Sequence, residues 1–177
     1  MLNRTVLILM VLTMLGCGVQ EKEISQTKNQ TQKEIAMNDT TPKVTGIGGI
    51  FFRSKDPKKT REWYAEHLGL AITEYGSTFE FRNANRPEET NYLQWNPFPE
   101  KTDYFDPSDR QFMINYRVQN IEGMVKKLKE AGVTIVDEIA EYEYGKFVHV
   151  MDPEGNKLEL WEPKDSVLKK MDGPTTK

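Results

Sequence analysis

This chain has little cysteine, little net charge and few long apolar runs. Its 177 residues include 24 Lys and Arg and 27 Asp and Glu, which gives a net charge of -3. The sequence contains no block of consecutive Lys and Arg residues. Proteins that track nucleic-acid phosphates need such a block, so we expect no nucleic acid as partner. Cys17 is the only cysteine, which excludes an intramolecular disulfide.

Residues 1–17 are predicted to be a targeting segment. Arg4 precedes an apolar stretch at 5–15, which is too short to span a membrane as a mature helix, and Gly16-Cys17 follows. This resembles a bacterial lipoprotein signal, which implies a lipid on Cys17 and attachment to a membrane of the cell envelope, on its periplasmic or surface side. An uncleaved signal anchor is the alternative.

Two polar segments flank the predicted domain at 44–163. Residues 18–43 have almost no large apolar side chain and no periodicity, so they are predicted to be a disordered tether. The C-terminal tail, 164–177, keeps a few apolar residues. We expect it to dock as a short helix and to be loose from Gly173 onward.

One sequence pattern occurs twice within the domain. Residues 52–56 align with 116–120 at an offset of about 64, and 91–95 align with 156–160 further along. A repeat of this length predicts two supersecondary modules, 44–98 and 111–163, that share one core and form the functional site where they face each other.

Each module is predicted to contain a strand, a helix and three further strands. The helices are marked by the N-caps Asp56 and Asn120. The predicted fold class is α+β, with two tandem βαβββ modules forming a curled mixed sheet around a cavity and the helices on its outer face. The predicted strands are 47–53, 70–75, 78–82 and 91–95, then 113–118, 133–138, 146–151 and 156–161.

The most specific resemblance of this sequence to a known family lies in a turn motif. Asp-Pro-Glu-Gly-Asn at 152–156 is followed by Leu-Glu-Leu at 158–160, and Lys-Asp-Pro at 55–57 supports it. The domain resembles the vicinal oxygen chelate superfamily of glyoxalase, bleomycin-resistance and dioxygenase proteins. The resemblance implies a homodimer, since members commonly pair, but a shared fold does not fix an activity.

The resemblance also implies where a divalent metal would bind. The matching positions are Gly49, Gln94, Met113 and Glu159. Glu159 offers a carboxylate and Gln94 an amide oxygen, whereas glycine has no side chain and a thioether is a poor ligand for hard cations. We therefore expect no cofactor, with a divalent metal on Glu159 and Gln94 as the alternative.

Further candidate residues lie on the strands that would line the cavity. His149 and Glu159 are the candidate catalytic residues, with His149 as metal ligand, general base or hydrogen-bond donor, or else as a histidine fixed by a backbone carbonyl. Arg53 and Arg117 end the two first strands and suit carboxylate or phosphate recognition, unless they form ordinary surface ion pairs. The predicted ligand pocket comprises Phe51, Arg53, Asn115, Arg117, Tyr144, Phe147, His149 and Trp161.

Aromatic side chains in loops 96–111 and 141–145 are predicted to border the mouth of the cavity, where they bind a ligand, plug the cavity or bury a dimer interface.

Three functions remain open. The first is metal-free binding of a small aromatic or apolar molecule at the envelope. The second is a divergent metal-dependent lyase or isomerase of the glyoxalase I type, and the third is an interaction module with a filled cup. Whether His149 and Glu159 converge within metal-ligand distance separates the first two.

Overall fold

The computed structural model describes residue 24 and residues 39–84, 86–171 and 173–177. The predicted targeting segment, 1–17, and most of the predicted tether, 18–43, lie outside these residues. Among the described residues, no helix has the length and apolar character needed to cross a membrane.

Seven strands form one mixed sheet in the order β2-β3-β1-β4-β7-β6-β5. Its two edges, β2 and β5, are not joined, so the sheet is curled rather than closed into a barrel. The strands are β1 Lys43–Ser54, β2 Ser77–Arg82, β3 Thr90–Pro99, β4 Phe112–Gln119, β5 Ala140–Tyr142, β6 Gly145–Met151 and β7 Lys157–Pro163. The helices are α1 Pro57–Leu68, α2 Ile121–Glu130 and α3 Asp165–Leu168.

The two halves of the sheet repeat one plan. The first strand of each half pairs in parallel with the last, β1 with β3 and β4 with β7. The halves meet where β1 and β4 pair antiparallel. This arrangement confirms the predicted tandem modules and the α+β class.

Both long helices begin at the predicted caps. The Asp56 carboxylate accepts the Lys59 backbone N–H at 3.0 Å, and the Asn120 side chain accepts the Gly123 N–H at 2.9 Å. The helix α1 ends at Gly69 with φ +70°, the left-handed conformation that glycine adopts freely. On α2 the apolar stripe packs in a core cluster with sheet residues, as its spacing predicts: Ile121, Met124 and Val125 contact Val148, Val150 and Leu160.

Two predicted strands are wrong. Segment 70–75 makes one isolated bridge, Ile72 to Ser77, because the chain reverses between Thr73 and Gly76, whose backbone N–H and C=O bond at 2.7 Å. Segment 133–138 likewise makes one bridge, Ile135 to Val150.

The C-terminal tail is partly as expected. Its short helix is present as α3, but the expectation that residues 173–177 are loose is wrong. Thr176 pairs with β2, donating its N–H to the Thr78 carbonyl at 2.8 Å and accepting the Glu80 N–H at 3.2 Å. The tail thereby pairs two backbone groups on the β2 edge, the Thr78 carbonyl and the Glu80 N–H.

Candidate functional site

One row of residues crosses the cupped face of the sheet. Gly49 lies opposite both Gln94 and Asn115, Asn115 lies opposite Glu159, and Glu159 lies opposite His149. Paired residues on neighbouring strands direct their side chains to the same face. Five strands therefore present one polar line, interrupted at Gly49.

Glu159 is the most enclosed charged group in this row, with 2% of its surface exposed. Its carboxylate accepts hydrogen bonds from the Tyr104 hydroxyl and from Asn115 Nδ2. His149 Nε2 lies 3.0 Å from its Oε2. A buried carboxylate is tolerated only with such partners, and here three polar groups surround it.

His149 links Glu159 to a second carboxylate. Its Nδ1 lies 2.6 Å from Asp137 Oδ2, and its backbone N–H donates to Asp137 Oδ1 at 2.8 Å. Burial lowers the pKa of His149, but the hydrogen bond and charge of Glu159, together with the bond to Asp137, outweigh burial and raise the pKa above its ordinary value. The site therefore favours an imidazolium held between two carboxylates.

Tyr104 enters the cup from loop 100–111. Its ring stacks on Phe98 with centroids 5.1 Å apart and meets the His149 ring edge-on. Burial raises the pKa of the Tyr104 hydroxyl far above its ordinary value, and the Glu159 charge adds to the effect. The hydroxyl is therefore a hydrogen-bond donor to Glu159 at any physiological pH.

Arg53 holds this loop in place. Its Nη1 donates to the carbonyls of Glu100 and Thr102, both at 2.8 Å, and its Nε donates to that of Arg110 at 3.3 Å. The guanidinium lies 5.0 Å from the Phe105 ring centre. Arg53, a predicted ligand-pocket residue, thus has its donors engaged by the loop's backbone.

The chain's own aromatic residues fill one end of the cup. Phe51, Phe105 and Met113 are buried together, with Phe98 and Tyr104 packed against them. Met113 lies opposite Phe51, outside the Glu159 row, so the residue paired with both Gly49 and Glu159 is Asn115.

At the other end of the cup lie Trp161 and Arg117, which are paired in register. Trp161 is 2% exposed and stacks on Phe147 at 5.6 Å. The buried Arg117 donates from Nη1 to the Tyr92 carbonyl at 3.0 Å and from Nη2 to Asp165. Burial lowers the pKa of Arg117, and Asp165 opposes that shift.

The remaining predicted pocket residue, Tyr144, stacks on Tyr142 and meets Phe147 edge-on. The predicted pocket residues thus fall into three places: the filled end, the Glu159 row and the Trp161 end. A surface pocket of about 380 Å³ lies beside Arg53, but its lining residues do not include Glu159 or its partners. We place the candidate site at Glu159, because the buried polar groups converge there.

Sequence reasoning missed two acidic residues, Asp137 in the Glu159 network and Asp165 at the Trp161 end of the cup. Asp137 lies in a segment that alternation assigned to a strand, and Asp165 follows β7 without any motif. Tyr104 was predicted only as part of an aromatic loop at the mouth. No local signal marks these contacts, because each depends on how distant segments pack.

The four positions implied for a metal do not fit one held by four side chains. A Cβ added at Gly49 would lie 2.7 Å from the Phe51 ring, and Gln94 Oε1 already accepts the Thr78 hydroxyl at 2.9 Å. Met113 packs in the aromatic cluster. Among the described residues, no group of three or more His, Cys, Asp or Glu is arranged to hold a metal ion.

Comparisons with known proteins bear on this fold. The sequence matches the family described as Glyoxalase/Bleomycin resistance protein/Dioxygenase superfamily over residues 46–160. A search of curated proteins gave no match.

Similar solved structures include a Streptomyces coelicolor methylmalonyl-CoA epimerase variant in complex with 2-nitronate-propionyl-CoA, at 15% identity and TM-score 0.51, covering 69% of this chain and 99% of that one. The Mycobacterium tuberculosis methylmalonyl-CoA epimerase has 21% identity and TM-score 0.46, with coverage of 71% and 93%. A Mn(II)-bound glyoxalase from Novosphingobium aromaticivorans has 16% identity and TM-score 0.48, with coverage of 69% and 40%. At 15% identity, the likeness to the Streptomyces coelicolor structure supports the fold alone.

Proposed function

The chain belongs to the Glyoxalase/Bleomycin resistance protein/Dioxygenase superfamily, and from that premise we propose that it binds a small aromatic molecule in a largely metal-free cup at Glu159. Members of the fold hold small molecules, as the epimerase complex with 2-nitronate-propionyl-CoA illustrates. The fold itself leaves the ligand open, so the proposal rests on the side chains around Glu159.

The observation that carries the proposal is the Tyr104 hydroxyl on Glu159. A phenol ring supplied by the chain lies in the cup, stacked on Phe98 and bonded to the buried carboxylate. The same surroundings suit a free aromatic molecule that donates one hydrogen bond. Such a ligand would take the place of the Tyr104 ring. The ring can move out of the cup because Tyr104 lies on a loop.

The test uses p-cresol as the probe and toluene as its matched analogue without the hydroxyl. Tyr104→Ala vacates one ring in the cup, whereas Tyr142→Ala removes a ring that is 52% exposed and does not contact Glu159. We expect Tyr104→Ala to bind p-cresol at least tenfold more tightly than the unmodified protein, and to prefer it to toluene, by titration calorimetry. A folded Tyr104→Ala protein that binds neither probe would overturn the proposal.

We further propose that the protein is anchored at the bacterial cell envelope through a lipid on Cys17. The apolar stretch at 5–15 and the single cysteine after Gly16 support this. Cys17→Ser is expected to move the protein from the membrane fraction to the soluble fraction in fractionated cells. Unchanged membrane association would contradict lipidation.

A homodimer is the proposed assembly. Ile47, Ile50 and Phe112 are apolar, lie on the paired strands β1 and β4 and are exposed, which supports an interface there. We expect light scattering to report a dimer that Ile50→Glu converts to a monomer. A monomeric unmodified protein would exclude it.

The second candidate function is a divergent metal-dependent lyase or isomerase of the glyoxalase I type. One observation favours it: His149 Nε2 and Glu159 Oε2 converge to 3.0 Å, so both could reach one ion. Elemental analysis of the full chain purified without chelator tests it, beside Glu159→Gln. One bound divalent ion per chain that is lost in the variant would support this candidate over the metal-free cup.

A further inference from the structure

Arg117 and the C-terminal helix α3 form a second polar contact at the Trp161 end of the cup. We propose that Arg117 recognises the carboxylate of an aromatic ligand, and that Asp165 of α3 occupies this place in the free protein. The inference rests on the proposed function, because it takes the ligand's ring to lie in the same cup.

The guanidinium of Arg117 is buried and held in a fixed position, unlike that of an ordinary surface arginine. It lies 5.3 Å from the Trp161 ring centre and 6.0 Å from that of Phe81. Its Nη1 is held by the Tyr92 carbonyl, which leaves Nη2 directed at Asp165. A buried arginine fixed in this way presents its remaining donors to one carboxylate in one orientation.

Asp165 is an imperfect partner for this arginine. Arg117 and Asn91 both donate to Oδ2, the latter at 3.0 Å, while the buried Oδ1 has no partner. A well-formed arginine pair would engage both oxygens, and an unsatisfied buried acceptor is costly. Burial raises the pKa of the Asp165 carboxyl despite the opposing effect of Arg117. Exchange for a better-placed carboxylate is therefore favourable.

The helix that carries Asp165 is weakly held. It spans only Asp165–Leu168, has no side-chain hydrogen bond at its N-cap and buries none of its residues. Elements with few buried contacts open at low free-energy cost. The helix also lies outside the residues 46–160 that match the family, so the contact is a feature of this chain's C-terminal segment.

The two polar contacts set the ligand's class. Its hydroxyl takes the place of the Tyr104 hydroxyl at Glu159, and its carboxylate takes the place of Asp165 at Arg117. The ligand class is therefore a hydroxyaryl carboxylate.

The experiment compares 4-hydroxybenzoate with its neutral analogue, 4-hydroxybenzamide, by titration calorimetry on the full chain. Asp165→Ala frees Arg117, and Asp109→Ala is the control, since Asp109 has a side chain that is 96% exposed. We expect Asp165→Ala to bind 4-hydroxybenzoate at least tenfold more tightly than the unmodified protein does, and tenfold more tightly than the amide. The control should match the unmodified protein.

Equal affinity of Asp165→Ala for the two probes, or no binding of either, would overturn the inference. If Tyr104→Ala still binds p-cresol, the proposed function survives; if it does not, both fail. Should Asp165→Ala not fold, Asp165→Asn keeps the shape and removes the charge, and the same preference is expected. In Arg117→Gln the preference for the carboxylate should vanish, and its persistence would equally refute the role of Arg117.

Discussion

At the scale of single residues, His149 sets how the site responds to pH. Its folded-state pKa is raised by Glu159 and Asp137 against the effect of burial. A raised pKa means that stabilisation by His149 is fully present below its unfolded-state pKa, about 6.5, and is lost as the pH rises through the folded-state pKa. The pair of carboxylates then faces a neutral ring.

We therefore expect the NMR titration midpoint of His149 to lie above 6.5 and to fall in Glu159→Gln. The free energy of unfolding that His149 adds relative to His149→Gln should shrink as the pH rises through that midpoint, as measured by urea unfolding. A midpoint at or below 6.5 in the unmodified protein would contradict the charged network.

Trp161 was expected to line a ligand pocket, and its burial gives a second residue-scale prediction. With its ring stacked on Phe147 and beside Arg117, Trp161→Ala should lower the free energy of unfolding by about 3–5 kcal/mol. Trp63→Ala is the control, since Trp63 is 50% exposed, and should change it by about 0.5 kcal/mol. Equal effects in urea unfolding would mean that Trp161 is not a core residue.

The residue scale also marks a limit of sequence reasoning. Counting along the repeat equates Gly49 with Met113 and Gln94 with Glu159, yet Gly49 pairs with Gln94 whereas Glu159 pairs with Asn115. Between Ile47 and Gly49 the register of β1 shifts, and such a bulge leaves no mark in a sequence offset. Glu159, Gln94 and His149 could be placed from alternation, because a regular strand has a period of two.

At the scale of elements, Arg53 makes three of the side-chain hydrogen bonds that hold loop 100–111, beside those of Ser108 to Gly155 and of Lys157 to Tyr104. Because Arg53 donates to three of its carbonyls, Arg53→Met should release the loop and the Tyr104 ring with it. We expect faster amide hydrogen exchange across 100–111 and unchanged exchange in β4 and β7. Arg82→Met, a change at an exposed arginine of β2, is the control and should leave the loop protected. Unchanged exchange in Arg53→Met would show that the other contacts of the loop hold it without Arg53.

Elements with caps or strict alternation were the predictable ones. Asp56 and Asn120 mark their helices chemically, and the central strands alternate because one face packs against helices. Segments 70–75 and 133–138 have strand-like composition, but each makes only one isolated bridge among the described residues. The pairing of Thr176 with β2 could not be predicted either, since it depends on backbone groups rather than on side chains.

At the scale of the whole molecule, the sequence repeat suggests two separate modules, whereas one continuous sheet joins them. Two modules could fold separately, but β1 and β4 pair from Lys43 and Gln119 to Phe52 and Phe112 across the middle of one sheet. The C-terminal tail adds a second link, because it follows β7 and pairs with β2 at the opposite edge of the first module. Neither module alone pairs both edges of its first strand, because β1 and β4 pair with each other.

This continuity predicts a single cooperative unfolding transition. Trp63 and Trp95 lie in the first module and Trp161 in the second, so each module can be followed by its own fluorescence. Trp161→Phe reports the first module, and Trp63→Phe combined with Trp95→Phe reports the second. In each variant the fluorescence and far-ultraviolet circular dichroism curves in urea should coincide, as two-state unfolding requires. A fluorescence midpoint displaced from the dichroism midpoint in either variant would mean that the modules unfold independently. The pairing of β1 with β4 would then join two folded halves instead of completing one.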